Sequence, residues 1–517
     1  MARKDIRKLM NYFLGIDIGT YETKGCLIDE KLRIIKTAIR QHTLNTPRPG
    51  WAEHDAEEIW WQDFVSITRE LLSTVNKKRL AAVGCSAIAP TMLPVDQNGR
   101  PLRPAILYGI DTRAYREIEE LSRILGDEWI QKHCWNQLSS QAVGPKILWF
   151  KKNEPDLYKN TWKIMTATSY LVFKLTKNVV IDFYTACSFT PLLDLNNLCW
   201  NKELSRLLVP PEKLPELKWT TEVAGVVTKD ASTETGIPSG TPVIVGTADA
   251  AAEFISTGAH KPGDTMIMLG STVFFIEQTK RPTISRTMWT SVFLHPNTYC
   301  VAGGMATGGA LTRWFRDQFA AEELKEEATS NVNAYEILWR RASQVPPGGS
   351  GILVLPYFSG ERTPINDPRA RGVIAGLTIA HTKYHLYRAL LEGVAFGIRH
   401  NIEHLEEVEK ISRIFMVGGG VKNSLWLEII SSVLKKTLLL PPIILGASYG
   451  DALLAAISQQ VITPDTIESI FTNGYKIIVP NEHWSKIYDE YYAIYLHLWT
   501  SIKEWVHRLA NIGGEEL

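Results

Sequence analysis

The chain has 517 residues, 45% of them hydrophobic, with 56 Lys plus Arg against 55 Asp plus Glu. That length implies more than one domain, each with a sizeable core, and the balanced charge excludes nucleic acid or an acidic membrane as a partner drawn in by bulk electrostatics. No apolar stretch approaches the ~20 residues needed to span a bilayer, and MARKDIRKLMNYF runs into the first strand without a signal-peptide core. Six cysteines, Cys26, Cys85, Cys134, Cys187, Cys199 and Cys300, are widely spaced with no CxxC pair. They read as buried thiols of a reducing, cytoplasmic compartment. A small molecule is the expected partner.

Phe13 to Ile18 and Gly25 to Ile28 read as strands around the turn Gly19-Thr20-Tyr21-Glu22-Thr23-Lys24. The turn offers a glycine for close backbone approach, hydroxyls such as Thr20 and amides for phosphate oxygens, and the Lys24 cation. Asp17, just before it, could hold a hydrated Mg2+ bridging phosphate oxygens. The plain alternative is an ordinary hairpin whose glycine only permits the turn. Leu32 to Arg40 reads as a third strand, and Asp55 to Val75 as a helix with Ile59, Phe64, Ile67 and Leu71 inward. In the loop between them, Trp51 is a ligand contact or a core plug, and Asp55 a site residue or a helix N-cap. Leu80 to Ala87 is a buried strand leading into Ile88-Ala89-Pro90-Thr91, the kind of strand end where ligands bind in α/β sheets, which makes Ala87 and Ile88 candidate contacts. Tyr108, Asp111 and Arg113 follow a further apolar segment. Asp111 and Arg113 either meet a substrate hydroxyl or pair with each other. Lys146 to Asn153 and Tyr158 to Leu175 read as helical, and Asp182 to Leu193 as extended or looped. Val243 to Gly246 is a short strand and Ala250 to Ser256 a helix, so Asp249 stands at the corner. It is an N-cap there, or a general base aimed into a cleft.

Thr257 to Gly263 carries the Gly and Pro of a hinge and divides the chain into 1–257 and 258–517. Asp264 to Gln278 then repeats strand, small hydroxyl-bearing turn (Gly270-Ser271-Thr272), strand, with Gly270 lying 251 positions after Gly19 (270 minus 19). Two such hairpins, one per half, point to a duplicated domain with nucleotide phosphates in the cleft between the copies. Ala302 to Asp317, containing Gly309, is a glycine-rich turn opening a helix, suited to phosphate or ribose approach or to tight packing. Tyr357 to Pro364 is a polar loop in which Glu361 and Arg362 are expected to pair. His385 to Ile402 is a helix with an apolar stripe. Ile414 to Val417, Gly418-Gly419-Gly420 and the helix from Leu425 form a strand, glycine turn and helix on which adenosine could lie. Leu445 to Ala456 is a small-residue helix, flanking a base or closely packed. The tail after Pro480 reads as an amphipathic helix without a functional reading.

The paired hairpins resemble the actin-like ATPases. In order along the chain, GIDIGTYETK, PGWAEHD, DTRA, KILWFKKNEP, GTADAAAEF, LGST, GGALTRWFRD, YFSGERTP, RALLEG and VGGGVKNSLW resemble the FGGY family of carbohydrate kinases, over about Tyr12 to Ala456. The resemblance implies an α/β fold of two ribonuclease-H-like (actin-like ATPase) domains closing on ATP, Mg2+ and a sugar, and points to a homodimer. By position, Asp249 corresponds to the catalytic base and Asp17 to the carboxylate near Mg2+. Thr20 falls in the first phosphate turn, Gly270 and Ser271 in the second, and Gly309, Gly419 with Gly420, and Asn423 match nucleotide contacts. The motif order is most similar to the xylulose-kinase branch, which implies D-xylulose as acceptor. Three positions depart from the pattern: Val143 in the first signature, Ser86 to Thr91 at the sugar loop, and Tyr108-Gly109-Ile110-Asp111 before the arginine. Such departures can move the substrate to ribulose, a pentitol or tetritol, gluconate or an autoinducer-type pentose. A reading from another class is an ATP-binding switch of the actin or Hsp70 kind that transfers nothing.

Overall fold

Strands with both faces covered need continuous apolar runs, and the first strand, YFLGIDI, is buried at every position. The structure, a computed structural model, describes residues 11–285 and 287–513, so the basic segment 1–10 lies outside the described residues. In the first half, β1 (Tyr12–Ile18), β2 (Glu22–Asp29) and β3 (Ile34–Gln41) form an antiparallel meander. On the other side of β1 lies β4 (Leu80–Ala87), parallel to it, and the sheet continues through β6 (Pro242–Ile244) to β5 (Val223–Val226). A short strand, β7 (Thr247–Ala248), pairs with the end of β4. The second half repeats this order. The strands β8 (Asp264–Leu269), β9 (Val273–Thr279), β10 (Trp289–Val292), β11 (Tyr299–Met305), β12 (Arg413–Val417), β13 (Leu438–Leu440) and β14 (Lys476–Ile478) run β10-β11-β9-β8-β12-β13-β14 across the second sheet. As in the first sheet, a hairpin strand, here β8, meets a parallel neighbour, here β12, and the far edge closes antiparallel.

The helices that matter to the cleft are α1 (Gln62–Leu72), α2 (Val143–Asn153), α3 (Asp249–Ser256), α4 (Gly309–Phe319), α5 (Lys383–Glu406), α6 (Ser424–Leu434), α7 (Ala447–Ser458) and α8 (Glu482–Gly513). Helix α7 belongs to the second half in sequence but packs on the first sheet. A Cβ on Gly15 of β1 would lie 2.0 Å from the Ser448 carbonyl oxygen, and one on Gly84 of β4 would lie 2.3 Å from that of Asp451. One core runs through both halves as a result, joining Phe13, Ala252, Ile255, Met266, Phe415 and Leu453. Close helix packing is therefore the role of the small-residue segment 445–456.

Several expectations change in detail. The region Tyr158 to Leu175 is not one helix, because Lys163–Met165 forms a strand paired with Leu93–Val95 between helices Pro155–Asn160 and Ala167–Thr176. Asp182 to Leu193 contains the short helix Phe183–Ala186 and a 3-10 turn, capped by the Asp182 carboxylate on the Thr185 N–H. Asp55 is the N-cap it could be, accepting from the N–H groups of Glu57 and Glu58, although the helix opens with a wide π turn over Ala56–Trp61. The tail helix α8 is a core element, burying Tyr488, Tyr492, Tyr495 and Trp499 against α5 and α6. Tyr488 there donates to Glu392, which also accepts from the buried Arg388.

At Gly450 of α7 an added Cβ would stand 1.8 Å from the Ala252 carbonyl oxygen of α3, a backbone atom that cannot swing away. Gly450→Ala is expected to destabilise the fold by about 3 kcal/mol, as overpacking does. Urea unfolding measures this, and a midpoint equal to wild type would show that the two helices part freely.

Candidate functional site

Strand register assembles the centre. Asp17 is paired with Lys24 across the first hairpin and with Ser86 on β4. Ser86 is paired with Thr247 of β7, two residues before Asp249. The step from β6 to β7 requires Gly246, whose φ is +75° and whose Cβ would lie 2.1 Å from the Cys85 carbonyl oxygen. Asp249 is not an N-cap. It is the first residue of α3, and its Oδ1 accepts only the next N–H, of Ala250, at 2.8 Å. The rest of the carboxylate faces a cavity of about 180 Å3 between the halves. Ala89, Pro90, Gln141, Tyr184 and Thr185 line it from the first half, and Phe274, Trp289 and Ala302 from the second. Asn136 joins the two walls, accepting from the Thr290 N–H at 2.9 Å and donating to its carbonyl at 2.7 Å.

Of the candidate acceptor contacts, only Asp249 lines this cavity. Ala87 and Ile88 are buried in the first core, and the lining begins one residue on, at Ala89. Asp111 is wholly buried. Its oxygens are taken by Arg113 at 2.6 to 3.0 Å and by the Ala52 N–H at 2.7 Å, so the ion-pair alternative holds. Trp51 packs beneath that pair, its ring 3.8 Å from the Arg113 guanidinium carbon and edge-on to Trp149. Tyr108 turns toward the phosphate hairpin, its hydroxyl 3.2 Å from the Thr20 hydroxyl. Buried Lys146 fixes this loop by donating to the carbonyls of Leu107 and Tyr108 at 2.5 and 3.0 Å.

Two histidines hold the first phosphate turn from behind. Trp60 donates to His54 Nδ1, which leaves Nε2–H to donate to the Thr20 carbonyl at 3.1 Å. Burial, then the neighbouring His42, pushes His54 down to about 4 and keeps it neutral. His42 lies between Asp63 at 2.9 Å and the Gly19 carbonyl at 3.2 Å. Lys24 is paired with Glu22 at 2.6 Å.

A second cavity, of about 710 Å3, is lined by Gly270, Ser271, Gly309, Gly419, Gly420 and Asn423, bringing together six of the nine residues expected to meet nucleotide; Thr20, Lys24 and Thr272 lie outside its lining. The second hairpin is plugged into the start of α4: the Gly309 N–H donates to the Gly270 carbonyl at 2.7 Å, and the N–H groups of Gly308 and Ala310 donate to that of Ser271. Tight turn and cavity wall are thus one feature. Asn423 caps α6 through its Oδ1 and lines the cavity. Arg313, Tyr335 and Trp339 complete the wall, and sequence reading missed them.

Buried carboxyls dominate the electrostatics. Burial, and then the charge of Asp17, pushes Asp249 well above the usual carboxylate range. Burial likewise raises Asp17, against the pull of Lys24. Glu253, one turn along α3, is pushed up to about 7, and Asp451 on α7 is raised by burial and by Asp17. Ser86 bridges Asp451 and Asp17, its hydroxyl 2.7 Å from the first and 3.3 Å from the second. Hard oxygens that repel one another suit a hard divalent cation. The one convergent cluster of three ligating side chains among the described residues is His260, Asp465 and Glu468, away from this cleft, so a metal beside Asp17 would keep waters and phosphate oxygens in its shell. Glu361 does not pair with the Arg362 side chain. Its Oε1 accepts the N–H groups of Ala306 and Arg362 at 2.7 and 2.8 Å.

Residues 12–256 match the N-terminal domain, and residues 265–459 the C-terminal domain, of the FGGY family of carbohydrate kinases. The chain belongs to that family. It is therefore a carbohydrate kinase, a phosphotransferase acting on an alcohol group, in a family that uses ATP. The sequence is 26% identical to a gluconokinase of Bacillus subtilis over 95% of this chain and 96% of the relative. It is 27% identical to a xylulose kinase of Staphylococcus xylosus over 94% and 99% of the two chains. Among solved structures, a xylulose kinase from Rhodospirillum rubrum is similar with a TM-score of 0.87, at 28% identity over 96% of this chain and all of the other. No helix among the described residues is long and apolar enough to cross a membrane.

The raised carboxyls bind protons in the folded protein that the unfolded chain has already released. Stability of the ligand-free protein should therefore fall as pH rises from about 5 to about 8, and Asp249→Asn should flatten that fall. Urea unfolding across the window measures both slopes, and identical slopes would mean that Asp249 ionises as it does in the unfolded chain. At Gly419 an added Cβ would meet nothing within 4 Å. Gly419→Ala should leave the unfolding midpoint in place while weakening ATP binding about tenfold, by occupying bare backbone that the nucleotide needs. Calorimetry with ATP decides, unchanged affinity removing Gly419 from the site.

Proposed function

We propose that the protein transfers the γ-phosphoryl group of ATP to a hydroxyl of a small sugar or polyol, with Mg2+ beside Asp17 and D-xylulose as the first candidate acceptor. The observation that carries this reading is the position of Asp249, on the wall of a sugar-sized cavity and joined by strand register to Asp17 and the first phosphate turn. Asp249 takes the proton of the attacking hydroxyl as the acceptor oxygen bonds to the γ-phosphorus and the bond to the ADP oxygen breaks. Its raised proton affinity suits a base that must hold that proton. Thr20, Lys24 and the backbone of Gly270, Ser271 and Thr272 position phosphate oxygens, while Gly309, Gly419, Gly420 and Asn423 seat the nucleoside. The metal, when bound, neutralises charge on the phosphates. Contact between the halves at Asn136 and Thr290 helps exclude water, which limits hydrolysis of ATP. The xylulose-kinase relative and structural neighbour support the acceptor choice, and the reading places the enzyme in the cytoplasm, with domains 1–257 and 258–517.

Coupled ADP release over ketopentoses, pentitols, tetritols and aldonates should show sugar-dependent turnover, strongest with D-xylulose. Asp249→Ala should abolish it while calorimetry finds ATP binding within about threefold of wild type. Near-normal turnover by the variant would refute Asp249 as the base, and preference for another acceptor would move the substrate.

A further inference from the structure

Glu361 is held by backbone N–H groups and feels the charge of Arg362, but it forms no ion pair with the guanidinium. Among the described residues, no carboxylate, carbonyl or ring takes the Arg362 side chain as a hydrogen-bond or ion-pair partner. A half-buried arginine without a partner is unusual, since its five donors are normally engaged when water is restricted.

Its place follows from the second sheet. Arg362 Nη1 lies 3.8 Å from where Gly304 would carry a Cβ, beside the Phe274 ring at 3.4 Å from the same point. Gly304 is paired with Phe274, and the adjoining pair is Val273 with Met305. Phe274 and Ala302, on the same face, line the acceptor cavity, while Val273 directly follows the Gly270-Ser271-Thr272 turn. The loop is anchored there by Thr363, whose Oγ1 accepts the Gly304 N–H at 2.8 Å. The guanidinium thus lies beside Phe274, on the sheet face at the edge of the cavity that Phe274 lines. From the other side of the cleft, the Tyr108 hydroxyl, hydrogen-bonded to Thr20 of the first phosphate turn, lies within reach of the charges of both Asp249 and Arg362.

We propose that Arg362 is a catalytic residue whose guanidinium binds the equatorial oxygens of the phosphoryl group in transit between ATP and the acceptor. The inference rests on the kinase reading above. A planar fork suits phosphoryl oxygens, and a cation placed where charge spreads in the transition state acts on kcat more than on ground-state binding. The phosphoryl group leaves the ADP oxygen for the acceptor oxygen, the acceptor proton goes to Asp249, and Arg362 neither gains nor loses a proton.

The test compares wild type with Arg362→Met, Arg362→Lys and Arg362→Ala, using the acceptor that gives the best turnover. Arg362→Met should lower kcat about 100-fold or more, while calorimetric affinities for ATP and acceptor stay within about threefold and the unfolding midpoint is unchanged. Arg362→Lys should recover only part of the rate, because it returns charge without the fork. Guanidinium ion added to Arg362→Ala should restore turnover. Binding of ADP with aluminium fluoride and acceptor should weaken in Arg362→Met in proportion to kcat, a readout that a loop-holding role would not move. A kcat within a few-fold of wild type, or a loss that follows ATP affinity or the unfolding midpoint, would overturn the proposal while leaving Asp249-dependent kinase activity intact. No turnover by wild type with any acceptor would instead remove the kinase reading and this inference with it.

Discussion

Backbone-to-backbone packing of α7 against β1, β4 and α3 is the constraint on which the site depends. Gly15, Gly84 and Gly450 bring carbonyls within distances that no side chain would tolerate. That approach carries Asp451 from the second half of the chain to the side of Ser86, and Ser86 touches Asp17. It also fixes α3, whose first residue is Asp249, against α7, with Gly450 on the Ala252 carbonyl. Glu253 on α3 receives the Ala447 N–H at the start of α7, so the two helices meet end to side through a buried carboxyl. Asp249 is thereby tied into a core shared by both halves rather than mounted on a loop.

Much of this could be read from sequence wherever the signal was local. The two hairpins, the strand-to-helix corner at Asp249 and the glycine turn at 418–420 each place an unusual residue type at an element end, and the structure has those elements at those positions. Reading failed where position depends on distant partners. Phe274 and Trp289 look like ordinary strand aromatics, and only the pairing of β9, β10 and β11 turns them toward the cleft. Asp111 and Arg113 carried two readings because sequence cannot say whether a carboxylate meets a ligand or its neighbour. The Ala52 N–H, 59 positions away, decides it. Helix 447–458 could be recognised as small-residued, but not as the cover of strands far back in the chain, at 12–29 and 80–87.

The same logic separates the two cavities. The larger cavity is walled by glycine turns and an N-cap, features written in a few consecutive residues, so six of its lining residues stand out in the sequence. The cavity at Asp249, proposed for the acceptor, is walled by side chains from segments spread between Ala89 and Ala302. Specificity built in that way has no compact motif, and relatives sharing about a quarter of their residues can carry names as different as gluconokinase and xylulose kinase.

The charge distribution explains how one cleft holds so many acids. Asp249, Asp17, Glu253 and Asp451 are all pushed up, and Lys24 is the cation whose field reaches Asp17 and Glu253. The carboxyls relieve their repulsion by keeping protons, which needs no partner from the protein. A base that shares its proton affinity with a neighbouring carboxylate cannot be set independently of it: whatever neutralises Asp17 lowers the proton affinity of Asp249 as well, since the repulsion between them is one interaction seen from two sides. Neutralising Asp17 would therefore remove one of the two causes that raise Asp249, the other being burial. For the proposed base role, burial is set by the α3–α7 contact itself, so the packing that holds Asp249 in line also sets most of its proton affinity.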